Sequence, residues 1–204
     1  AKGYAVASLN YRLVPAATVE DQAADVAAAV AWLRGQADKL GIHPQRIVLI
    51  GHSAGAHLVA LVGTDPQWLK AHGLGPGDLA GVIPLDGAAY QVADQIGENA
   101  RLMGATYSQA FGTDPRRHHA LSPTLHAAAP NAPSFLILHV ERADAARQSA
   151  ALAAALRGAR TPVELHALEG RGLRGHMEIN RRLGEPDYPA TALVDAWLAT
   201  RFAG

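Results

Sequence analysis

Residues 46–60, Arg-Ile-Val-Leu-Ile-Gly-His-Ser-Ala-Gly-Ala-His-Leu-Val-Ala, constrain this chain more than any other stretch. An apolar, β-branched run stops at Gly51, Ser53 follows after one residue, Gly55 comes two later, and an alanine-rich helical pattern begins at once. That reads as a strand, a sharp turn carrying Ser53, and a helix. A Gly-x-Ser-x-Gly pattern in that setting holds a hydroxyl in a strained turn, where small neighbours let the helix pack close and leave the oxygen pointing out of the sheet. Gly51 and Gly55 are expected to supply the room. The Ala54 amide, at the helix start, then points toward the place where negative charge would collect on an attacked carbonyl oxygen.

Strands alternate with helices on either side of this motif. Five apolar runs predict strands: Tyr4–Leu9, Arg46–Ile50, Leu79–Asp86, Ser134–Val140 and Val163–Leu168. Their near-continuous apolarity suits strands covered on both faces of a parallel sheet. Val19, Ala23, Val26, Val30, Leu33, Ala37 and Leu40 fall on one helical stripe that Gly41 and Pro44 close. Further helices are predicted at Ala54–Val62, Ala145–Leu156 and Ala190–Phe202. The order argues for an α/β layered fold with right-handed crossovers. The stretch 88–133 is too long for a plain connection and holds helical pieces at Val92–Met103 and Tyr107–Phe111. It reads as a small cap over the sheet's carboxyl edge, inside one domain spanning 1–204. Tyr90, Met103, Tyr107 and Phe111 are candidates to line an acyl pocket there, with simple packing as their other role.

Composition narrows the chemistry. Of 204 residues, 18 are Lys or Arg and 18 are Asp or Glu, so no long-range field favours nucleic acid or an anionic membrane. A small neutral substrate suits that balance. Although 49% of residues are hydrophobic, no apolar run approaches the roughly 18 residues needed to cross a bilayer. The chain therefore reads as soluble, with the compartment open and the cytoplasm preferred. Cysteine is absent, which removes disulfides, thiolate metal sites and a cysteine nucleophile together.

A serine hydroxyl needs a base, usually a histidine held by a carboxylate. There are ten histidines. His52 and His57 flank Ser53 and read as packing or helix-surface residues; His139 and His166 lie on strands and read as core or edge histidines. His118 and His119 are adjacent, a poor arrangement for one metal ion, and read as a solvated loop. His176 stands in a glycine-rich segment, Glu-Gly-Arg-Gly-Leu-Arg-Gly-His-Met, predicted as a loop between the last strand and the last helix. From there an imidazole reaches over the carboxyl edge, where ligands and reactive groups of open α/β sheets gather. His176 is the expected base. Asp144, Asp86 and Glu141 all lie at or past strand ends, fit the chain order between Ser53 and His176 and qualify as the carboxylate; Asp144 is preferred for its place in the loop after the fourth strand, just before a helix, with a helix N-cap as its alternative role.

Four stretches give the chain a resemblance to α/β-hydrolase carboxylesterases of the hormone-sensitive-lipase-like and kynurenine-formamidase-like group. They are Ser8-Leu-Asn-Tyr-Arg-Leu, Asp25 to Leu33, Gly51-His-Ser-Ala-Gly-Ala-His-Leu, and Phe111-Gly-Thr-Asp-Pro with Ser122-Pro-Thr-Leu-His. The resemblance implies an α/β-hydrolase fold and hydrolysis of small carboxylic esters by Ser53, Asp144 and His176. No metal or organic cofactor is implied. Amide hydrolysis, as in an arylformamidase, uses the same triad, and a catalytically silent scaffold is the reading outside the enzyme class. Asp25 looks structural, near the Tyr11-Arg12 turn. The upstream His-Gly-Gly segment of this group, whose loop supplies further oxyanion donors, is missing. Its strand would lie between Tyr4–Leu9 and Arg46–Ile50. The expectation is a fragment of a longer protein, direct closure of those two strands, or a strand borrowed from another copy in a homo-oligomer.

Overall fold

The computed structural model describes residues 3–128 and 130–202. Helices α1 (Val19–Gly35) and α2 (Ala37–Leu40) precede strand β1 (Val48–His52), and α3 (Ala54–Thr64) leaves β1 through the Ser53 turn. After α4 (Gln67–Lys70) come β2 (Gly81–Leu85), α5 (Val92–Phe111), α6 (Pro115–Ala120) and α7 (Pro123–His126). Strand β3 (Phe135–Glu141), α8 (Ala143–Gly158), β4 (Val163–Arg171), α9 (Gly172–Arg181) and α10 (Pro189–Phe202) complete the order. The strands form one parallel sheet in the order β1-β2-β3-β4.

The two central strands, β2 and β3, are covered on both faces, and their side chains alternate between two cores. In β3, Phe135 and Ile137 enter a cluster with α1, α3 and α8, through residues such as Val26, Leu61 and Leu152. Leu136, Leu138 and Val140 point the other way, to Ile179 of α9 and to Val194 and Trp197 of α10. The apolar runs are continuous because both sets of residues are buried. Two elements extend the predicted pattern: the stretch Val92–Phe111 is one helix rather than two pieces, and the Gly-rich segment before His176 is the end of β4 and the start of α9, not a loop.

The long stripe from Val19 breaks at Gln36, which leaves helical geometry (φ −105°, ψ 8°) just after Gly35, and Gly41 caps α2 in the left-handed region at φ 65°. At the other end Thr18 and Asp21 form a reciprocal capping box. Glu20 of α1 accepts two hydrogen bonds of 2.7 Å from Arg117 of α6, tying the segment after α5 to the first helix.

Tyr4–Leu9 departs from expectation. It forms no strand, because a strand needs a ladder partner and β1 pairs, among the described residues, only with β2. The two segments therefore do not close on one another. Val6 is 90% exposed, Tyr4 stacks on Phe202 of α10 at 5.4 Å, and Ile50 of β1 is left exposed. Asp25 does sit by the turn before α1, accepting from the Arg12 amide at 2.9 Å and from its guanidinium.

Leu61 is fully buried against both the sheet and α1, so Leu61→Ala is expected to cost about 3 kcal/mol in urea denaturation. Val6→Ala, in the segment outside the sheet, should change stability by less than about 0.5 kcal/mol.

Candidate functional site

Each of the four strands delivers one polar group to the carboxyl edge of the sheet: Ser53 after β1, Asp86 after β2, Arg142 after β3 and His176 beyond β4. Ser53 turns the chain at φ 57° and ψ −117°, a conformation an L residue adopts at a cost. The turn closes only because Gly51 lacks a side chain: a Cβ there would lie 2.2 Å from the Gly55 carbonyl oxygen. Gly55 itself faces open space, so of the two glycines it is Gly51 that makes the room. The Ser53 amide bonds the Leu85 carbonyl at 3.0 Å, fixing the turn to β2. Ala54 opens α3, where the first amides of a helix have no partner within it and face the positive end of its dipole.

His176 lies on the second turn of α9 and must reach back across β3 to meet Ser53. Helix α9 comes close enough because Gly170 and Gly175 meet backbone to backbone; a Cβ on Gly175 would lie 2.5 Å from the Gly170 carbonyl carbon. His52, expected only to pack, holds the result in place: its Nε2 is 2.7 Å from the His176 carbonyl, and the two rings stand 4.4 Å apart. Burial, and then the neighbouring His176, push the His52 pKa down, so it donates to that carbonyl as a neutral ring.

The Ser53 hydroxyl is 3.0 Å from His176 Nε2, and His176 Nδ1 is 2.6 Å from Asp86 Oδ2. Asp86 is fully buried, and burial opposes its ionisation. Hydrogen bonds from His176, from the Val140 amide at 3.0 Å and from Arg142 at 2.7 Å outweigh that cost and hold its carboxyl below the usual range. An ionised carboxylate only accepts, so Nδ1 carries the ring proton and Nε2 is the free acceptor facing Ser53.

Asp144, preferred in the sequence for the position Asp86 occupies, is not on His176. Its Oδ2 accepts from Arg142 at 3.1 Å and from Gln95 at 3.1 Å. Asp144 falls inside the first turn of α8 rather than at its cap, Arg142. Asp86 instead ends a wholly buried strand, its amide on the Leu138 carbonyl at 2.7 Å, and turns at φ 43° toward the ring. Glu141, the third candidate, is exposed and pairs with Arg171. Arg142 was absent from the sequence reading, since nothing in a lone arginine after a strand marks where its fork will land. The signal for Asp86 was a charge closing the run Gly81–Leu85, buried at every position.

The other histidines serve local contacts. His57, buried under α5, bonds the Ala89 carbonyl at 3.0 Å and meets Phe111 edge-on at 5.3 Å. His139 bonds the Val140 carbonyl, His166 lies by Glu164, and His118 reaches the Gly112 carbonyl. His119 packs on His126 instead of sharing an ion with His118. Of the candidate pocket residues, Tyr90 and Phe111 are buried in the main core, Met103 is exposed, and the Tyr107 hydroxyl accepts from Gln95. Among the described residues, no three His, Cys, Asp or Glu are grouped to hold a metal, and no helix is long and apolar enough to cross a membrane.

A parallel sheet flanked by helices, with a strained serine between its first strand and the next helix, defines the α/β-hydrolase fold. The structure superposes on an acetyl ester-xyloside bifunctional hydrolase from Caldicellulosiruptor lactoaceticus with a TM-score of 0.73 at 22% identity, covering 94% of this chain and 69% of that one. A thermophilic esterase from Thermogutta terrifontis gives a TM-score of 0.68 at 26% identity, covering 94% and 70%. By sequence the chain is similar to esterase LipQ of Mycobacterium tuberculosis, 33% identical over 172 residues, which are 77% of this chain and 39% of the relative. Lipase 2 of a Moraxella species is 47% identical over 60 residues, 29% of this chain and 14% of that one. The matched stretches thus span less than half the length of these curated relatives. The BD-FAE family model matches residues 1–156, and the chain belongs to that family.

Burial drives the His57 pKa from 6.5 to about 4. The unfolded chain then binds a proton that the folded chain refuses, so this contribution is full above pH 6.5 and is lost as pH falls toward 4. Unfolding free energy should drop by about 3 kcal/mol across that window from this residue, with His52 acting in the same direction. Urea titrations at pH 7 and pH 4.5 check it: His57→Gln should flatten the dependence.

Proposed function

We propose that the chain is a serine hydrolase of small carboxylic esters. Ser53 attacks the acyl carbon; His176 Nε2 takes the hydroxyl proton and returns it to the leaving alcohol. Water then enters, His176 accepts its proton, and the acyl group departs as the acid while Ser53 is regenerated. Asp86 keeps Nδ1 protonated and stabilises the imidazolium that each step creates. The Ala54 amide stabilises the oxyanion.

One observation carries the reading: the unbroken line Ser53 Oγ, His176 Nε2, His176 Nδ1, Asp86 Oδ2, with separations of 3.0 and 2.6 Å. Each link has the length of a hydrogen bond suited to proton transfer. The esterases to which the chain is similar support the same reaction class. Asp86 takes the carboxylate role because its Oδ2 lies 2.6 Å from His176 Nδ1, while Asp144 is bonded to Arg142 and Gln95 and not to the ring.

Hydrolysis of p-nitrophenyl acetate and butyrate tests this. Ser53→Ala should reduce kcat about a millionfold, and Asp86→Asn about ten-thousandfold, through loss of the productive tautomer. Asp144→Asn should cost less than about tenfold at neutral pH, since it touches neither ring nitrogen. Undiminished turnover in Ser53→Ala, or a larger loss at Asp144 than at Asp86, would overturn the assignment.

A further inference from the structure

The feature that the triad leaves unexplained is a guanidinium lodged inside it. Arg142 follows β3 and is thrown back over the strand end by a tight turn, its amide on the Val140 carbonyl at 2.7 Å. One terminal nitrogen is 2.7 Å from Asp86 Oδ2 and 2.7 Å from His176 Nδ1; the other is 3.1 Å from Asp144 Oδ2. Only about a fifth of the arginine side chain and of Asp144 is exposed, so water screens these charges weakly. Two donors, the ring Nδ1–H and an arginine N–H, therefore converge on one carboxylate oxygen.

That geometry has two consequences of opposite sign. The arginine fixes Asp86 Oδ2 and keeps it ionised, which helps the ring hold its productive orientation. It also sets a permanent positive charge against a ring that becomes positive during the reaction, which opposes proton uptake. Asp144 lies on the far prong of the same fork and supplies the compensating negative charge. Gln95 Nε2 in turn bridges Asp144 and the Tyr107 hydroxyl, anchoring that carboxylate from α5.

We propose that Arg142 is a positioning residue of the reaction read above, and that Asp144 is its counter-charge, the two together setting how readily His176 accepts the serine proton. The proposal rests on that reading for its function, but its electrostatics do not depend on turnover. The charged and titratable groups around the ring are few. From β1 come His52 and Ser53, from β2 Asp86, and from the β3–α8 junction Arg142 with Asp144 behind it. The phenols of Tyr90, Tyr107 and Tyr188 sense these carboxylates, but burial pushes all three pKa values up, so they stay neutral near pH 7.

The test follows the His176 imidazole by 15N NMR across pH in the whole chain, assigned by the signal missing in His176→Gln, alongside kcat/KM profiles on p-nitrophenyl butyrate. Arg142→Gln should move the His176 midpoint upward, because a permanent cation 2.7 Å from the ring is removed. Asp144→Asn should move it the opposite way, because the arginine loses its counter-charge. The double variant should fall between the two single variants, because the nearer positive charge and the more distant negative one are lost together. Arg142→Lys, which keeps the charge and loses the fork, should leave the midpoint near the parent value while kcat falls. Where turnover is measurable, the acid limb of kcat/KM should move with the NMR midpoint. Midpoints that stay put, or that move the same way in both single variants, overturn the proposal. Loss of the esterase reading shows separately, as turnover that survives Ser53→Ala.

Discussion

The site is organised around a carboxylate that has no access to water. Asp86 stays ionised in that position only because three donors from two parts of the chain point at it: the Val140 amide and the Arg142 guanidinium at the end of β3, and the His176 ring of α9. A buried charge left without such partners costs several kcal/mol, so the fold cannot relax any of the three without penalty. The carboxylate therefore fixes the spacing of β2, β3 and α9 at the carboxyl edge, and with it the direction of the imidazole.

This requirement explains features that look local when taken alone. Asp86 and Ser53 both occupy positive φ, which side chains rarely tolerate, at the ends of neighbouring strands. Each is held by a backbone bond to the next strand, Ser53 to Leu85 and Asp86 to Leu138. The strain at these two turns is clamped by the sheet's own register, and the rigid parallel ladder beneath them offsets its cost. The close backbone approach of Gly170 and Gly175 then lets α9 lean in, and His52 completes the clamp from the β1 side.

Much of this architecture was legible in the chain. The four strands that pair were all visible as apolar runs, most plainly β2 and β3, which are covered on both faces and so must be apolar at nearly every position. The Ser53 turn was legible because it needs a small residue at a fixed offset. Tyr4–Leu9 has the same composition and yet forms no strand, since composition does not say whether a partner lies alongside. The segment before His176 read as a loop on its glycines; in the fold those glycines permit close packing of a helix. Asp86 and Asp144 both qualify by position, and the place of Asp144 in the loop before α8 favoured the carboxylate that does not meet the ring.

What the sequence determined by itself is the layered α/β class, the exposed serine and the histidine that faces it. These follow from periodicity and from residues whose backbone demands are local. Which carboxylate meets the ring, and the presence of an arginine between two carboxylates, were decided by tertiary structure alone. The reason is physical: hydrogen bonds among side chains from β2, β3 and α9 depend on distances of a few ångströms between segments dozens of residues apart, and only the packed sheet sets those distances.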